Sequence, residues 1–324
     1  MNKFHTEDLS NKTFLVTGGA GFIGSHIAEY LCVHGAKKVR VIDNFITGSK
    51  DNIELLSQFP NFEFLEGDIR DLATCRKAME GVEYVSHQAA LGSVPRSIIE
   101  PEKTTAINVN GTLHILIAAK DAGVKRLVYA SSSSVYGDNP DLPKVEAKVG
   151  KHLSPYAVSK YTNELYAGVF YLNYGLETIG FRYFNVFGPR QSPNGPYAAV
   201  IPLFIDGVKN NKPVYINGDG NQSRDFTFIE NVVQINIKGL FAPTTAVNEV
   251  YNVAVGENFS VNYLYNEIAS LLNSEQKAIH REERQGDIKD SLADITKAKT
   301  LLNYNPEVKF KDGLLRTIEY FREL

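Results

Sequence analysis

Short apolar runs alternate with longer stretches of helical periodicity through the first half of the chain. Thr13–Thr17 (TFLVT) reads as a wholly apolar strand, a glycine turn follows, and residues 22–34 carry a helix that Gly35 is placed to end. Further strands are predicted at 38–42, 62–65, 84–86, 126–130 and Glu177–Tyr183, with helices over 103–122 and from Pro155 onward. Strands separated by helices of this length pair in parallel through crossovers. Both faces of such a sheet are covered, which is why its strands read as continuous apolar runs. The pattern predicts an α/β fold with a doubly wound parallel sheet, its ligand crevice at the carboxyl ends of the strands.

From Gly188 the pattern loosens. Pro189, Pro193, Pro196, Pro202 and Pro213 break the chain into loops and short elements, as expected of a smaller mixed α/β domain. Residues 228–240 read as a helix and 250–255 as a strand that could return to the first domain. The expected division is 1–187, joined by about 228–255, and 188–324.

Composition narrows the function classes. The chain has 324 residues and a formal net charge of −3, so it lacks the global basic field of a nucleic-acid-binding protein. Its two cysteines, Cys32 and Cys75, cannot form a disulfide framework or a four-ligand zinc site. No apolar run approaches a membrane span, and residues 1–12 lack the apolar core of a secretory signal. The expectation is a soluble cytoplasmic enzyme with no metal, no nucleic-acid partner and no membrane partner.

The first chemical motif lies where the first strand meets the first helix. Gly18, Gly21 and Gly24 have the spacing G-x-x-G-x-x-G. The first permits a tight turn, the second lets backbone approach a pyrophosphate, and the third lets helix and strand pack closely. Asp43 ends the next strand, where a carboxylate accepts hydrogen bonds from ribose hydroxyls and repels a 2′-phosphate. Together these predict dinucleotide binding, with NAD favoured over NADP. Asp68 is a candidate for the adenine edge.

The second motif is a serine run, 131–134, after the fifth strand, followed by Ser154-Pro155-Tyr156-Ala157-Val158-Ser159-Lys160. Ser154 and Pro155 suit the N-cap and first turn of a helix. Tyr156 and Lys160, four apart, share one helix face. A phenol is a poor base at neutral pH, and a neighbouring cation favours its phenolate. Tyr156 is therefore a candidate base for a sugar hydroxyl, with Lys160 as its partner and a serine as proton relay.

At this point the sequence resembles the extended short-chain dehydrogenase/reductases, in their nucleotide-sugar epimerase branch. The resemblance rests on TGGAGFIG, the DN after strand two, GD at 67–68, SVYGD, SPYAVSK, RYFNVFGPRQ, NGDGNQSRDF and YNVAVG, and covers nearly the whole chain. Within that branch it is nearest bacterial UDP-N-acetylglucosamine 4-epimerases of surface-polysaccharide synthesis. The resemblance implies a Rossmann sheet and a tightly bound, recycled NAD. It also implies a 4-keto sugar that turns in the site before hydride returns to its other face. It assigns catalysis to Ser132, Tyr156 and Lys160, although Ser133 or Ser134 could share the relay. To the cofactor it adds Phe22, Ile23, Asn44, Gly48, Ile69 and Gln88. To the UDP-sugar it assigns Ser93, Arg96, Ser132, Ser133, Ser134, Asn185, Val200, Arg224, Arg284, Asp287 and Ser291. Arg224 and Arg284 would clamp the diphosphate and Asp287 would reach the uridine ribose.

The same stretches separate relatives. Sugar 4,6-dehydratases place Asp and Glu where this chain has Ser133 and Ser134, and uronic-acid decarboxylases place Glu at Ser134. Asn185 matches epimerases of neutral hexoses, whereas uronic-acid relatives usually have Thr there. Ser291 leaves room for a 2-acetamido group where hexose-restricted epimerases tend to carry Tyr. The favoured reading is interconversion of UDP-N-acetylglucosamine and UDP-N-acetylgalactosamine. A UDP-glucose/UDP-galactose or uronic-acid 4-epimerase is the alternative, and a non-catalytic NAD-sensing protein a distant one. The resemblance further implies a homodimer through a four-helix bundle of helices 103–122 and 155–174. Ile115, Leu116, Leu165 and Val169 are its candidate apolar positions, although they could equally fill the internal core.

Overall fold

The computed structural model describes residues 2–195, 198–283 and 289–323. A seven-stranded, wholly parallel sheet forms its centre. In chain order the strands are β1 (Thr13–Thr17), β2 (Lys38–Asp43), β3 (Phe62–Glu66), β4 (Tyr84–His87), β5 (Arg126–Ser132), β6 (Glu177–Tyr183) and β7 (Glu249–Val253). Their spatial order is β7-β6-β5-β4-β1-β2-β3. The chain winds outward from β1 to β3, then restarts on the other side of β1 with β4. That reversal opens a crevice above the carboxyl ends of β1 and β4.

The helices flanking the sheet include α1 (Phe22–Val33), α2 (Lys50–Ser57), α3 (Leu72–Met79), α4 (Thr112–Asp121) and α5 (Pro155–Tyr174). The expected caps operate. Ser154 Oγ accepts the Ala157 N–H at 3.1 Å, and α5 ends on Gly175 in the left-handed region. Strand β1 is buried throughout and feeds both cores: Phe14 and Val16 face one, Leu15 the other.

After β6 the chain builds α6 (Val200–Lys209), α7 (Ile229–Leu240), α8 (Val261–Leu271) and α9 (Phe310–Glu323). Helix α7 packs on α1 and against the sheet, and β7 pairs with β6 in register Tyr251↔Phe181. Outside the sheet, α6, α8 and α9 enclose an aromatic cluster in which Phe310 lies 4.5 Å from Phe259 and 5.4 Å from Phe226. Among the described residues no helix is long and apolar enough to cross a membrane.

Two helical expectations need correction. The helix expected over 103–122 is not a uniform α-helix. It runs α-helically over Pro101–Thr105, widens into a π-helical turn over Ala106–Gly111, then continues as α4. Contacts from elsewhere hold that turn: Asn108 bonds both backbone groups of Leu91, and a Cβ on Gly111 would stand 2.5 Å from Ile69. Ile115 and Leu116 are fully buried in the monomer core, whereas Leu165 and Val169 on α5 are exposed. The core reading of the first two therefore holds, and they offer no docking surface.

Candidate active site

The glycine turn is built to leave space and bare backbone. Gly18 has φ +68°, and a Cβ there would stand 2.7 Å from Ala89. A Cβ on Gly24 would stand 2.3 Å from Gly18 O, so helix and turn touch backbone to backbone. Helix α1 starts on Gly21 with no side-chain cap. Its first N–H groups and positive dipole end thus face the crevice. This bare, close-packed turn fits a pyrophosphate. Asp43 is oriented beside it, accepting N–H groups of Ala20 at 3.0 Å and Phe45 at 2.8 Å. Burial raises its pKa, opposed by those backbone bonds.

A cleft of about 570 Å³ runs from this turn across the sheet end. It brings together Gly18, Gly21, Phe22, Ile23, Gly24, Asp43, Asn44, Asp68, Ile69, Gln88, Ser93 and Arg96. Gly48 lies beneath, against Ala20, where a Cβ would meet the methyl at 2.7 Å. Asp68 is hydrogen-bonded by Arg70 and Asn44, and the Arg70 guanidinium holds its carboxyl down at about 2. The Gln88 amide is consumed below the cleft: it binds Ser86 and Asn236 at 3.0 Å each and accepts Tyr183 OH at 3.1 Å. Leu91, Ile107, Gln191 and Ser192 also line the cleft, and of these Gln191 closes the RYFNVFGPRQ motif. Gln191 Oε1 is buried without a hydrogen-bond partner among the described residues.

Beyond the Leu91 wall stand Ser132, Tyr156 and Lys160. Asn108 spans the wall, accepting the Leu91 N–H at 2.8 Å and donating to Ser159 Oγ at 3.1 Å. Ser132 ends β5, and its Oγ accepts the Ser134 N–H at 3.1 Å. Lys160 is buried, donates to Ala130 O at 2.8 Å, and stands 6.0 Å from the phenol ring centre. Burial pushes the Tyr156 pKa up, partly offset by Ser132, and pushes Lys160 down to about 8.

The neighbours limit the relay. Ser131 donates to Glu164 at 2.5 Å, inside a buried ion pair with Arg182. Ser134 Oγ is buried with no partner among the described residues, and its N–H binds Ser132 Oγ at 3.1 Å. His87, beneath, is pushed down to about 3 by burial and then by Lys160. Thr112 donates its hydroxyl to Asn108 O, so it accepts from His87 Nε2 at 2.9 Å, leaving Nδ1 to accept from Thr17 at 2.6 Å.

The sugar-side candidates gather in a second cluster. Asn185 Nδ2 donates to Asp225 O at 3.1 Å. Arg224 lies in a two-residue strand paired with Phe259 and donates to Ser223 O. Ser291 is buried, and its N–H binds Ser223 O at 3.1 Å. The carboxylate of Asp225 ties this cluster, accepting N–H groups of Val255, Gly256 and Ala293. Burial raises it to about 6. In the sequence its one signal is its position directly after Arg224 in SRDF. Val200 opens α6 beside the cleft-lining Ala198 and Ala199. Arg284 and Asp287 lie outside the described residues.

Comparison with known proteins gives a consistent family. The family model described as "NAD dependent epimerase/dehydratase family" matches residues 14–254. The structure of UDP-N-acetylglucosamine 4-epimerase from Methanobrevibacter ruminantium, in complex with UDP-N-acetylmuramic acid, is similar at TM-score 0.92 and 40% identity, covering 97% of this chain and 99% of that one. UDP-glucose 4-epimerase from Thermotoga maritima, with UDP-glucose, is similar at TM-score 0.90 and 35% identity, covering 96% and 99%. UDP-glucuronate 4-epimerase from Thermodesulfobacterium geofontis is 35% identical over 319 residues, 96% of each chain. A match over most of the chain, with the dinucleotide turn and the serine, tyrosine and lysine in place, shows that this chain belongs to the NAD dependent epimerase/dehydratase family.

Proposed function

We propose that the protein is a UDP-sugar 4-epimerase that interconverts UDP-N-acetylglucosamine and UDP-N-acetylgalactosamine. The observation that carries the reading is the Ser132–Tyr156–Lys160 group: a tyrosine one helical turn from a buried lysine, which donates to Ala130 O two residues before Ser132 at the end of β5 and stands 6.0 Å from the phenol ring centre. Gly18, Gly21, Gly24 and Asp43 would hold the dinucleotide, and Asp68 and Ile69 would border its adenine. When bound, NAD would supply a hydride acceptor for C4 of the sugar and a positive charge that favours the phenolate. Tyr156 takes the 4-hydroxyl proton, with Ser132 steadying the oxygen as it becomes a ketone. The 4-keto sugar then turns, and Tyr156 returns its proton as the opposite face is reduced. Net redox is zero, so a retained cofactor is recycled.

Ser133 and Ser134 stand where elimination or decarboxylation needs acids and bases, which supports epimerisation over those reactions. Asn185 supports a neutral sugar. Ser291, small and buried beside Ser223, supports room for an acetamido group. Arg224, with Arg284, would meet the diphosphate charge. The division 1–187 and 188–324, with 228–255 returning to the first part, would place all the cofactor residues in the first part, with the sugar residues drawn from both: Ser93, Arg96, Ser132 and Asn185 from the first, Arg224 and Ser291 from the second. We also propose a cytoplasmic homodimer. Its support is the row of exposed Val158, Leu165, Val169 and Leu172 on α5, and two free, buried thiols.

Purified protein should epimerise UDP-N-acetylglucosamine without added NAD, faster than UDP-glucose or UDP-glucuronate. Tyr156→Phe should abolish this, and unchanged turnover would remove the assigned base. Ser291→Tyr should suppress the acetylated substrate and spare UDP-glucose. Equal loss of both would sink the pocket argument.

A further inference from the structure

The loop after Gly188 walls the dinucleotide cleft with Gln191, Ser192 and Asn194, and its root is fastened to the helix that starts at the glycine turn. Arg190 is a non-glycine residue at φ +66°, a backbone state that L residues rarely hold without outside support. That support comes from α1. The Arg190 guanidinium pairs with Glu29 and reaches Ser25 Oγ at 3.3 Å, spanning one helical turn. Both members of the pair are largely shielded from water, at 11% and 21% side-chain exposure. One residue earlier, Pro189 O accepts from His26 Nε2 at 3.0 Å. His26 packs edge-on against Phe22, a cleft residue, at 5.9 Å. The backbone of Ser25, one end of the clasp, donates to Gly21 O at 3.0 Å.

We infer that Glu29 and Arg190 are positioning residues for NAD. Their ion pair fixes the root of the 188–195 segment on α1, so the phosphate-binding helix start and the opposite cleft wall are held at one spacing. Neither residue touches the reacting atoms. The pair acts through Gln191 and Ser192 on one side and through Ser25 and Gly21 on the other. A dinucleotide gripped between the two walls leaves only when they separate, so a weakened clasp raises its release rate. The inference rests on NAD occupying the cleft.

The test uses purified enzyme loaded with NAD, freed of excess by gel filtration, with NAD release followed by trapping on an unrelated dehydrogenase. Glu29→Gln keeps shape and removes charge. Arg190→Lys keeps charge and removes the fork. Each should speed release about tenfold, the factor equivalent to ~1.4 kcal/mol. Exchanging the pair, Glu29→Arg with Arg190→Glu, should recover part of the retention. The melting temperature of cofactor-free protein, measured alongside, separates this from a general loss of stability. Lower melting temperatures with unchanged release would overturn the inference. Release at the wild-type rate in both single variants would do so too. Wild-type enzyme that takes up no NAD would instead overturn the cofactor reading beneath it.

Discussion

Gly24→Ala isolates the contact between the glycine turn and α1. The added Cβ would lie 2.3 Å from Gly18 O and 2.8 Å from Gly19 Cα, both backbone atoms that cannot rotate away. An ordinary carbon–oxygen contact is about 3.3 Å, so the helix start must move by about 1 Å. Displacement of that size in a positioned site costs about 100-fold, or roughly 2.7 kcal/mol. Overpacking costs stability too, about 1–3 kcal/mol, offset by up to ~1 kcal/mol because alanine favours helix over glycine. Gly35→Ala is the matched control. There nothing lies within 4 Å, but φ is +76°, so the strain is about 1–2 kcal/mol and local to the far end of α1. Calorimetric titration of NAD into cofactor-free protein should show a large affinity loss for Gly24→Ala alone, while thermal melts show both variants weakened. Equal NAD affinity in the two proteins would refute the close-packing argument.

Three further outcomes follow from the geometry. Lys160 is held at about 8, below the ordinary lysine value, because burial opposes its charge, so the folded protein binds fewer protons than the unfolded chain up to about 10.5. Wild-type stability should therefore rise across that window by on the order of 3 kcal/mol relative to Lys160→Met, both cofactor-free; parallel stability–pH curves would contradict it. Asp225→Asn places an amide NH₂ against backbone donors and should cost about 2–4 kcal/mol by denaturant unfolding. It should also weaken UDP-sugar binding while NAD affinity stays unchanged; intact UDP-sugar affinity would show that the tie does not position Arg224 and Ser291. Leu165→Glu should yield a monomer by light scattering if α5 forms the subunit contact, and an unchanged mass would exclude that face.

The central sheet was legible because its strands are buried on both faces, so apolar runs such as TFLVT need no partner to be recognised. The glycine turn and Ser154-Pro155 were legible because they are local: backbone conformation and capping depend on adjacent residues. What escaped depends on contacts between distant segments. Nothing in residues 106–111 signals a π-helical turn, which is held by Leu91 and Ile69. Asp225 gains its role only when three separate N–H groups converge on it. Leu116 and Leu165 are alike in the sequence, and packing alone sends one inward and the other to the surface. The 191–195 wall of the cleft is polar and irregular, so periodicity had nothing to register.

The last strand to join the sheet carries a consequence for synthesis. Strand β6 leaves the ribosome about 70 residues before β7, the neighbour that covers its outer edge. At 5–20 residues per second, that edge stands open for roughly 4–14 s. It presents Ile179 and Phe181, both fully buried in the finished protein, beside a row of unpaired backbone groups. Until Glu249–Val253 arrives, the nascent first half is a sheet with a sticky side. A fragment truncated after 187 keeps that side permanently and should accumulate as aggregate, and the finished chain escapes it only by looping back to close its own edge.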